Sequence, residues 1–89
     1  MNSRTTARFR ELYQSLPKAV RDQARKAYRL FKDNPEHPSL VFKQVHTVRA
    51  IYSARVNRDY RVLAIREEDT LIWFWIGSHT DYEKIISRL

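Results

Sequence analysis

The sequence predicts an α+β fold in the order α-α-β-β-β-β-α, in which a helical hairpin packs on a small antiparallel sheet and a short C-terminal helix closes the chain. Three observations predict it: apolar residues recur at helical spacing before residue 33, at strand-like spacing from residue 40 to 76, and at helical spacing again near the end. With 89 residues there is room for one modest core. We therefore expect a single domain over residues 1–89.

Two amphipathic helices are predicted at the start of the chain. Phe9, Leu12, Tyr13 and Leu16 form an apolar stripe that predicts a helix over residues 5–16, with Asn2 or Ser3 as its cap. Pro17, which a first helical turn tolerates, marks a second helix. That helix is expected to end in the loop over residues 33–39, because the loop carries two prolines among turn-forming residues.

Four strands are predicted after this loop, over residues 40–45, 50–57, 60–65 and 71–76. Their connections are short enough for hairpins, so an antiparallel meander is expected. Gly77, the only glycine, is predicted to supply a turn after the last strand. A helix over residues 80–88 should follow, with Thr80 and Glu83 at the spacing of a capping box.

The charge distribution indicates a polyanionic partner. The net charge is +7, and residues 43–66 hold six basic side chains against one acidic one. Solvated, charged helix faces are the alternative explanation for the basic residues of the first two helices. The chain has no cysteine, which excludes disulfides and thiolate metal sites, and it has no long apolar run, so we expect a cytoplasmic protein with no membrane contact.

Arg55 and Arg61 are the central candidates for a functional site. They lie symmetrically about the polar turn at residues 57–59, so a hairpin closed there brings them together. Two neighbouring guanidinium groups hold a phosphate well and stabilise the charge that builds on it during phosphodiester transfer. The alternative is that either arginine pairs with a nearby carboxylate, namely Asp59, Glu67 or Glu68.

Proton transfer near neutral pH is assigned to a histidine, because its ordinary pKa lies close to that pH. His79 is placed best, at the junction of the last strand and the last helix, although a surface position is equally compatible with the sequence. His46 is a weaker candidate. Tyr82 either packs in the core, on its helical stripe, or projects its hydroxyl toward the sheet. The remaining candidates for RNA binding are the basic residues Lys43, Arg49 and Arg58, together with His46.

The sequence lacks the residue patterns that other kinds of phosphate-binding or metal site require. The sequence has no glycine-rich phosphate loop, no HExxH and no Cys/His metal spacing, so no cofactor and no metal are expected. Trp73, Phe74 and Trp75 are consecutive in a predicted strand and cannot all face one side. Most of this cluster is expected to pack against the helices, and the aromatic that faces the other way could stack on a base.

Three stretches resemble the RelE/ParE superfamily of bacterial type II toxin–antitoxin toxins, and the resemblance covers nearly the whole chain. They are Tyr52-Ser53-Ala54-Arg55-Val56, then Asp59-Tyr60-Arg61-Val62-Leu63, and Ile76-Gly77-Ser78-His79. The resemblance implies the RelE-like microbial ribonuclease fold. It further implies a ribosome-dependent mRNA endoribonuclease, in which a ribose 2′-OH attacks the adjacent phosphate without a metal.

The same resemblance implies roles for four residues. Arg61 would stabilise the transition state, Arg55 would hold phosphate, His79 would transfer protons and Tyr82 would support the substrate. The sequence departs from the family at His79, where many relatives have arginine, and at Ser53 and Ala54, where some have lysine. A glutamate that other members use as a base has no clear counterpart.

The superfamily also implies partners and an alternative function. Its members are held inactive by an acidic antitoxin, and the RelE-like branch acts on mRNA in the ribosome. The ParE-like branch shares the fold but inhibits DNA gyrase without being an enzyme. A catalytically inactive relative that only binds RNA or protein is the third possibility.

Overall fold

The computed structural model describes all residues, 1–89, and contains five strands and three helices. The strands are β1 (Asn2–Thr5), β2 (Lys43–Gln44), β3 (Ile51–Arg55), β4 (Tyr60–Glu67) and β5 (Thr70–Ser78). The helices are α1 (Ala7–Gln14), α2 (Lys18–Asp33) and α3 (His79–Arg88), and a single 3-10 turn spans Pro38–Leu40. From α1 onward the order is the predicted α-α-β-β-β-β-α. None of the three helices combines the length and apolar character needed to cross a membrane.

The sheet has the strand order β1-β5-β4-β3-β2. Strands β2 to β5 form the predicted antiparallel meander. Strand β1 was not predicted; it runs parallel to β5, from Asn2 opposite Thr70 to Thr5 opposite Trp73. The sheet is therefore mixed rather than purely antiparallel. The predicted cap at Asn2 or Ser3 is wrong, because these residues are extended and the side chain of Thr6 caps α1 by accepting a hydrogen bond from the backbone N–H of Phe9 at 3.1 Å.

The first predicted strand, over residues 40–45, is only two residues long in the structure, where it is β2. Leu40 belongs to the 3-10 turn and is only 2% exposed, so its apolar character serves the core rather than a strand. Val41 ends the turn with φ 45° and ψ 45°. This left-handed conformation is incompatible with a strand and is unfavourable for a β-branched residue.

The junction between β5 and α3 also differs from the prediction. Gly77 lies within β5, directly opposite Arg61, and does not form a turn. A Cβ atom at this position would lie 2.5 Å from Cζ2 of Trp75, so glycine allows the Trp75 ring to approach the backbone. Ser78 caps α3 by accepting a hydrogen bond from the backbone N–H of Asp81, which corrects the predicted cap at Thr80.

The sheet separates two apolar clusters. The larger one lies on the side of α1 and α2 and includes Phe31, Trp73 and Ile76. The smaller one lies on the side of α3 and is built on Ile51, Leu63 and Tyr82. A β-bulge at Leu63/Ala64 shifts the register against β5. Phe74 and Trp75 consequently both pack against the smaller cluster, whereas Trp73 packs in the larger one.

Candidate active site

Arg55 and Arg61 are direct neighbours across the β3–β4 hairpin, where their Cα atoms form a register pair. Both are partly buried. Arg61 donates from Nη1 to the carbonyl oxygens of Asn57 at 2.7 Å, Tyr60 at 3.0 Å and Arg58 at 3.2 Å. Because these acceptors are carbonyl groups of the turn itself, they orient the guanidinium group without neutralising it.

Neither arginine is paired with a carboxylate. The ion pairs of the structure all lie in the helices, so the alternative of pairing with Asp59, Glu67 or Glu68 is not realised. Two like charges on directly opposite residues repel one another. A bound anion would relieve this repulsion, which makes the pair suited to a phosphate.

The first turns of α3 contribute His79 and Glu83. Nε2 of His79 lies 3.2 Å from a carboxylate oxygen of Glu83, and the imidazole ring stacks on Tyr82 with 5.8 Å between ring centroids. The backbone N–H of His79 donates to the carbonyl of Asp59 at 2.7 Å, which ties the start of the helix to the β3–β4 turn. With Nε2 directed at Glu83, Nδ1 is the nitrogen left for a substrate. The side chain is 47% exposed, so a substrate can reach it.

Tyr82 takes the core position that the helical stripe predicts. It is 8% exposed, and its hydroxyl donates to Oγ of Ser53 at 3.1 Å. Ser53 is the one buried polar residue of the chain. The bond therefore satisfies both hydroxyl groups and fastens α3 to β3 beside the arginine pair.

These residues surround a cleft of about 440 Å³. Twelve residues line it: Val41, Lys43, Gln44, Val45, Ser53, Ala54, Arg55, Arg61, His79, Tyr82, Glu83 and Ile86. All four predicted catalytic residues and Lys43 are among them. Glu83 is the only acidic residue of the lining, opposed by Lys43 and the two arginines, so the cleft favours an anionic ligand. The structure holds no cluster of three or more His, Asp or Glu side chains that would suit a metal ion.

Three predicted RNA-binding residues lie outside the cleft. Arg49 is exposed in the β2–β3 loop, and Arg58 is exposed in the β3–β4 turn. Both ring nitrogens of His46 already contact backbone groups of the protein. Its Nδ1 accepts from the backbone N–H groups of Val48 and Arg49, and its Nε2 lies 2.9 Å from the carbonyl oxygen of Leu89.

Residues 18–84 match the family model of the ParE-like toxin domain. The chain belongs to this family. No curated protein matches it significantly in sequence. Among solved structures it is similar to YafQ from E. coli BL21(DE3), with 12% identity, a TM-score of 0.72 and coverage of 91% of this chain and 96% of YafQ.

Two further structures share the fold of this ParE-like toxin domain. The structure of the RelB–RelE antitoxin–toxin complex from Methanococcus jannaschii matches with 13% identity and a TM-score of 0.73, over 92% of this chain and 96% of the matched chain. Isolated E. coli RelE matches with 14% identity and a TM-score of 0.67, over 99% of this chain and 98% of RelE. These likenesses confirm the predicted RelE-like fold, and the family match over residues 18–84 confirms the predicted RelE/ParE superfamily.

Sequence reasoning missed two residues of the site in this ParE-like toxin domain. Glu83 was predicted only as a helix cap, yet it contacts His79. The signal was available, since residues four apart on a helix are neighbours and His79 precedes Glu83 by four. Ser53 was noted only where other members have lysine, and its bond to Tyr82 joins elements 29 residues apart, which no local pattern reveals.

Proposed function

We propose that this protein is the toxin of a type II toxin–antitoxin system and an endoribonuclease that cuts mRNA on the ribosome. One observation carries the proposal: Arg55 and Arg61 form a facing pair in an anion-attracting cleft, and neither has a carboxylate partner. The ParE-like toxin domain supports the toxin assignment.

The reaction begins when a ribose 2′-OH attacks the adjacent phosphorus and the bond to the 5′-oxygen breaks. The products are a 2′,3′-cyclic phosphate and a free 5′-hydroxyl. Negative charge grows on the phosphate as the attack proceeds. Arg61, whose guanidinium is oriented by three carbonyls, stabilises this charge, and Arg55 holds the phosphate from the paired strand.

Proton transfer is assigned to His79. Glu83 holds the Nε2 side of the ring, which leaves Nδ1 to act as the base that takes the 2′-OH proton or as the acid that protonates the 5′-oxygen. The cleft offers a single histidine, and the other groups of its lining that could transfer a proton are Tyr82, Glu83 and Lys43, of which Tyr82 is bonded to Ser53 and Glu83 contacts His79. We assign the second proton transfer to a group of the ribosome, which accords with cleavage there rather than of free RNA. Tyr82 supports the substrate from the cleft wall and stacks behind His79.

The remaining cations extend RNA binding away from the cleft. Lys43 lies in the cleft lining and would contact the neighbouring phosphate. Arg49 and Arg58 are exposed in loops at either end of β3. They would contact parts of the mRNA, or ribosomal RNA, that lie outside the cleft. His46 would act there by shaping the loop that carries Arg49.

A cognate antitoxin is the expected protein partner. The M. jannaschii RelE of similar fold was solved in complex with its antitoxin RelB. The net charge of +7 favours an acidic partner, because complementary charge speeds encounter and orients docking.

Primer extension on a defined mRNA in a purified translation system tests the proposed activity. The proposal predicts discrete cuts at codons in the ribosomal A site, with 2′,3′-cyclic phosphate ends, and none when ribosomes are omitted. Uncut mRNA with translation unimpaired would refute it.

Inhibition of DNA gyrase is the second candidate, because the family model that matches the chain is described as ParE-like. Such a toxin would not need the facing arginines. A supercoiling assay with purified gyrase separates the two functions. Inhibited supercoiling with intact mRNA would favour gyrase, and cleaved mRNA with normal supercoiling would favour the ribonuclease.

A further inference from the structure

The turn between β3 and β4 is organised by the side chain of Asn57. Its carboxamide oxygen accepts hydrogen bonds from the backbone N–H groups of Asp59 at 2.8 Å and Tyr60 at 2.9 Å. An asparagine that accepts from the backbone two residues ahead fixes a turn. The N–H of Val56 donates to the carbonyl of Tyr60 at 3.1 Å and closes the turn over residues 57–59. One side chain therefore holds the conformation of the whole turn.

The same turn orients Arg61. Its Nη1 donates to the carbonyl oxygens of Asn57 at 2.7 Å, Tyr60 at 3.0 Å and Arg58 at 3.2 Å, whereas Nε and Nη2 form no hydrogen bond within the protein. Nε and Nη2 carry the two parallel N–H bonds with which a guanidinium group binds two oxygens of one phosphate. The turn thus holds one side of the guanidinium group and leaves the phosphate-binding side free.

A contact with α2 fixes where the turn lies. Because the oxygen of the Asn57 carboxamide faces the turn, its nitrogen is the donor left over, and it donates to Oε1 of Gln23 on α2. No other hydrogen bond joins α2 to the sheet or its turns. On the other side, the backbone N–H of His79 donates to the carbonyl of Asp59 at 2.7 Å. The turn is therefore held between α2 and α3.

We propose that Asn57 is a positioning residue, which holds the guanidinium group of Arg61 in the orientation that receives the scissile phosphate, and that Gln23 steadies it from α2. Asn57 does not line the cleft, so we assign it no contact with the substrate. Its effect on cleavage rests on the proposed function. The orientation of Arg61, however, is a property of the free protein and can be measured without RNA.

Nitrogen-15 NMR of the arginine side chains measures this orientation directly. A guanidinium group held at one nitrogen rotates slowly and gives separate signals for its two Nη groups, whereas a free one gives a single averaged signal. The signals of Arg61 are those missing from Arg61→Ala. We expect separate Nη signals in the wild type and an averaged one in Asn57→Ala. The matched control is Asn34→Ala, which removes a similar contact to the N–H of Glu36 outside the cleft and should keep the signals separate.

Kinetics of ribosome-dependent cleavage show what the orientation contributes. Asn57→Ala should lower kcat by about tenfold to a hundredfold and leave KM for ribosomes carrying mRNA within about twofold, because a misplaced Arg61 still attracts RNA but stabilises the transition state poorly. In an Arg61→Ala background, Asn57→Ala should cause no further loss. Asn34→Ala should cleave at the wild-type rate.

Substitutions at Gln23 test the contact with α2 and leave the turn itself unchanged. Gln23→Ala removes the acceptor and should lower kcat by about threefold. Gln23→Glu keeps an oxygen at the same position and should restore the wild-type rate. Because Gln23 is exposed, both variants should fold as the wild type does.

The proposal is overturned if Asn57→Ala keeps separate Nη signals for Arg61, or if Asn34→Ala loses them equally. It is also overturned if Asn57→Ala lowers the rate as strongly in the Arg61→Ala background as in the wild type. Equal rates for Gln23→Ala and Gln23→Glu overturn the role of Gln23. A wild type that cuts no mRNA overturns the proposed function instead, and the Nη signals then still decide whether Asn57 orients Arg61.

Discussion

The hydroxyl of Tyr82 donates to Oγ of Ser53 at 3.1 Å, and this single bond joins α3 to β3 inside the smaller apolar cluster. Both residues are buried, so water cannot replace either partner. Tyr82 also stacks on His79, while Ser53 lies two residues before Arg55 on the same side of its strand. The bond therefore sets the position of the proton-transfer residue relative to the arginine pair.

Removing one partner of this bond should destabilise the protein. Tyr82→Phe leaves Ser53 unpaired, and Ser53→Ala leaves the tyrosine hydroxyl unpaired, so each should lower the free energy of unfolding by about 1–3 kcal/mol. The double variant should cost clearly less than the sum of the two single variants. Urea denaturation measures all three. Strict additivity would mean that the two hydroxyl groups do not interact.

Gly77 should not tolerate a methyl group. Gly77→Ala forces its Cβ against the Trp75 ring, and overpacking of this kind costs about 1–3 kcal/mol of stability. In a Trp75→Leu background, which removes the ring, the same substitution should cost much less. Thermal or urea unfolding of the four proteins checks this, and an equal cost in both backgrounds would rule out the close approach as the cause.

Val41 holds a conformation that its side chain disfavours. Its φ of 45° lies in the left-handed region, which asparagine adopts with less strain than valine. Val41→Asn should therefore raise the free energy of unfolding by about 1 kcal/mol. Val48→Asn is the matched control, because Val48 is 88% exposed and has no positive φ. A gain of equal size at both positions would exclude relief of backbone strain.

Glu83 should affect the rate of mRNA cleavage by holding the imidazole ring of His79. Glu83→Gln removes the carboxylate that holds Nε2 and should slow mRNA cleavage by about tenfold, a part of the effect that general acid–base catalysis supplies. Asp81→Asn, on the same helix but outside the cleft, should leave the rate unchanged. In a His79→Gln background Glu83→Gln should have no further effect on the rate. A further loss there would show that Glu83 acts independently of the histidine.

The meander and its flanking helices were predictable because their apolar spacing is local. Strand β1 was not, since residues 2–5 carry no alternating apolar pattern and become a strand only by pairing with β5. The turn that replaces the start of the first predicted strand depends on the backbone conformation of Val41, which apolar spacing does not encode.

The arginine pair was predictable for the same reason as the meander: a short turn fixes which residues of a hairpin face each other. The sequence predicted Glu83 only as part of a helix cap at Thr80, and this hid its contact with His79; in the structure the cap lies two residues earlier, at Ser78. The concavity between α1, α2 and the sheet depends on how far α2 stands from the sheet, a tertiary property that the helical stripe alone does not give.

The facing arginines are tested most directly by primer extension on a defined mRNA in a purified translation system. The wild type is compared there with Arg61→Ala, Arg55→Ala and the control Arg66→Ala, which removes an exposed arginine of the same strand outside the cleft. Circular dichroism confirms that each variant is folded. We predict that Arg61→Ala lowers the cleavage rate by roughly 10²–10³, that Arg55→Ala lowers it less, and that Arg66→Ala leaves it near the wild-type value. A folded Arg61→Ala protein that cuts as fast as the wild type would contradict the assignment of the cleft as the active site.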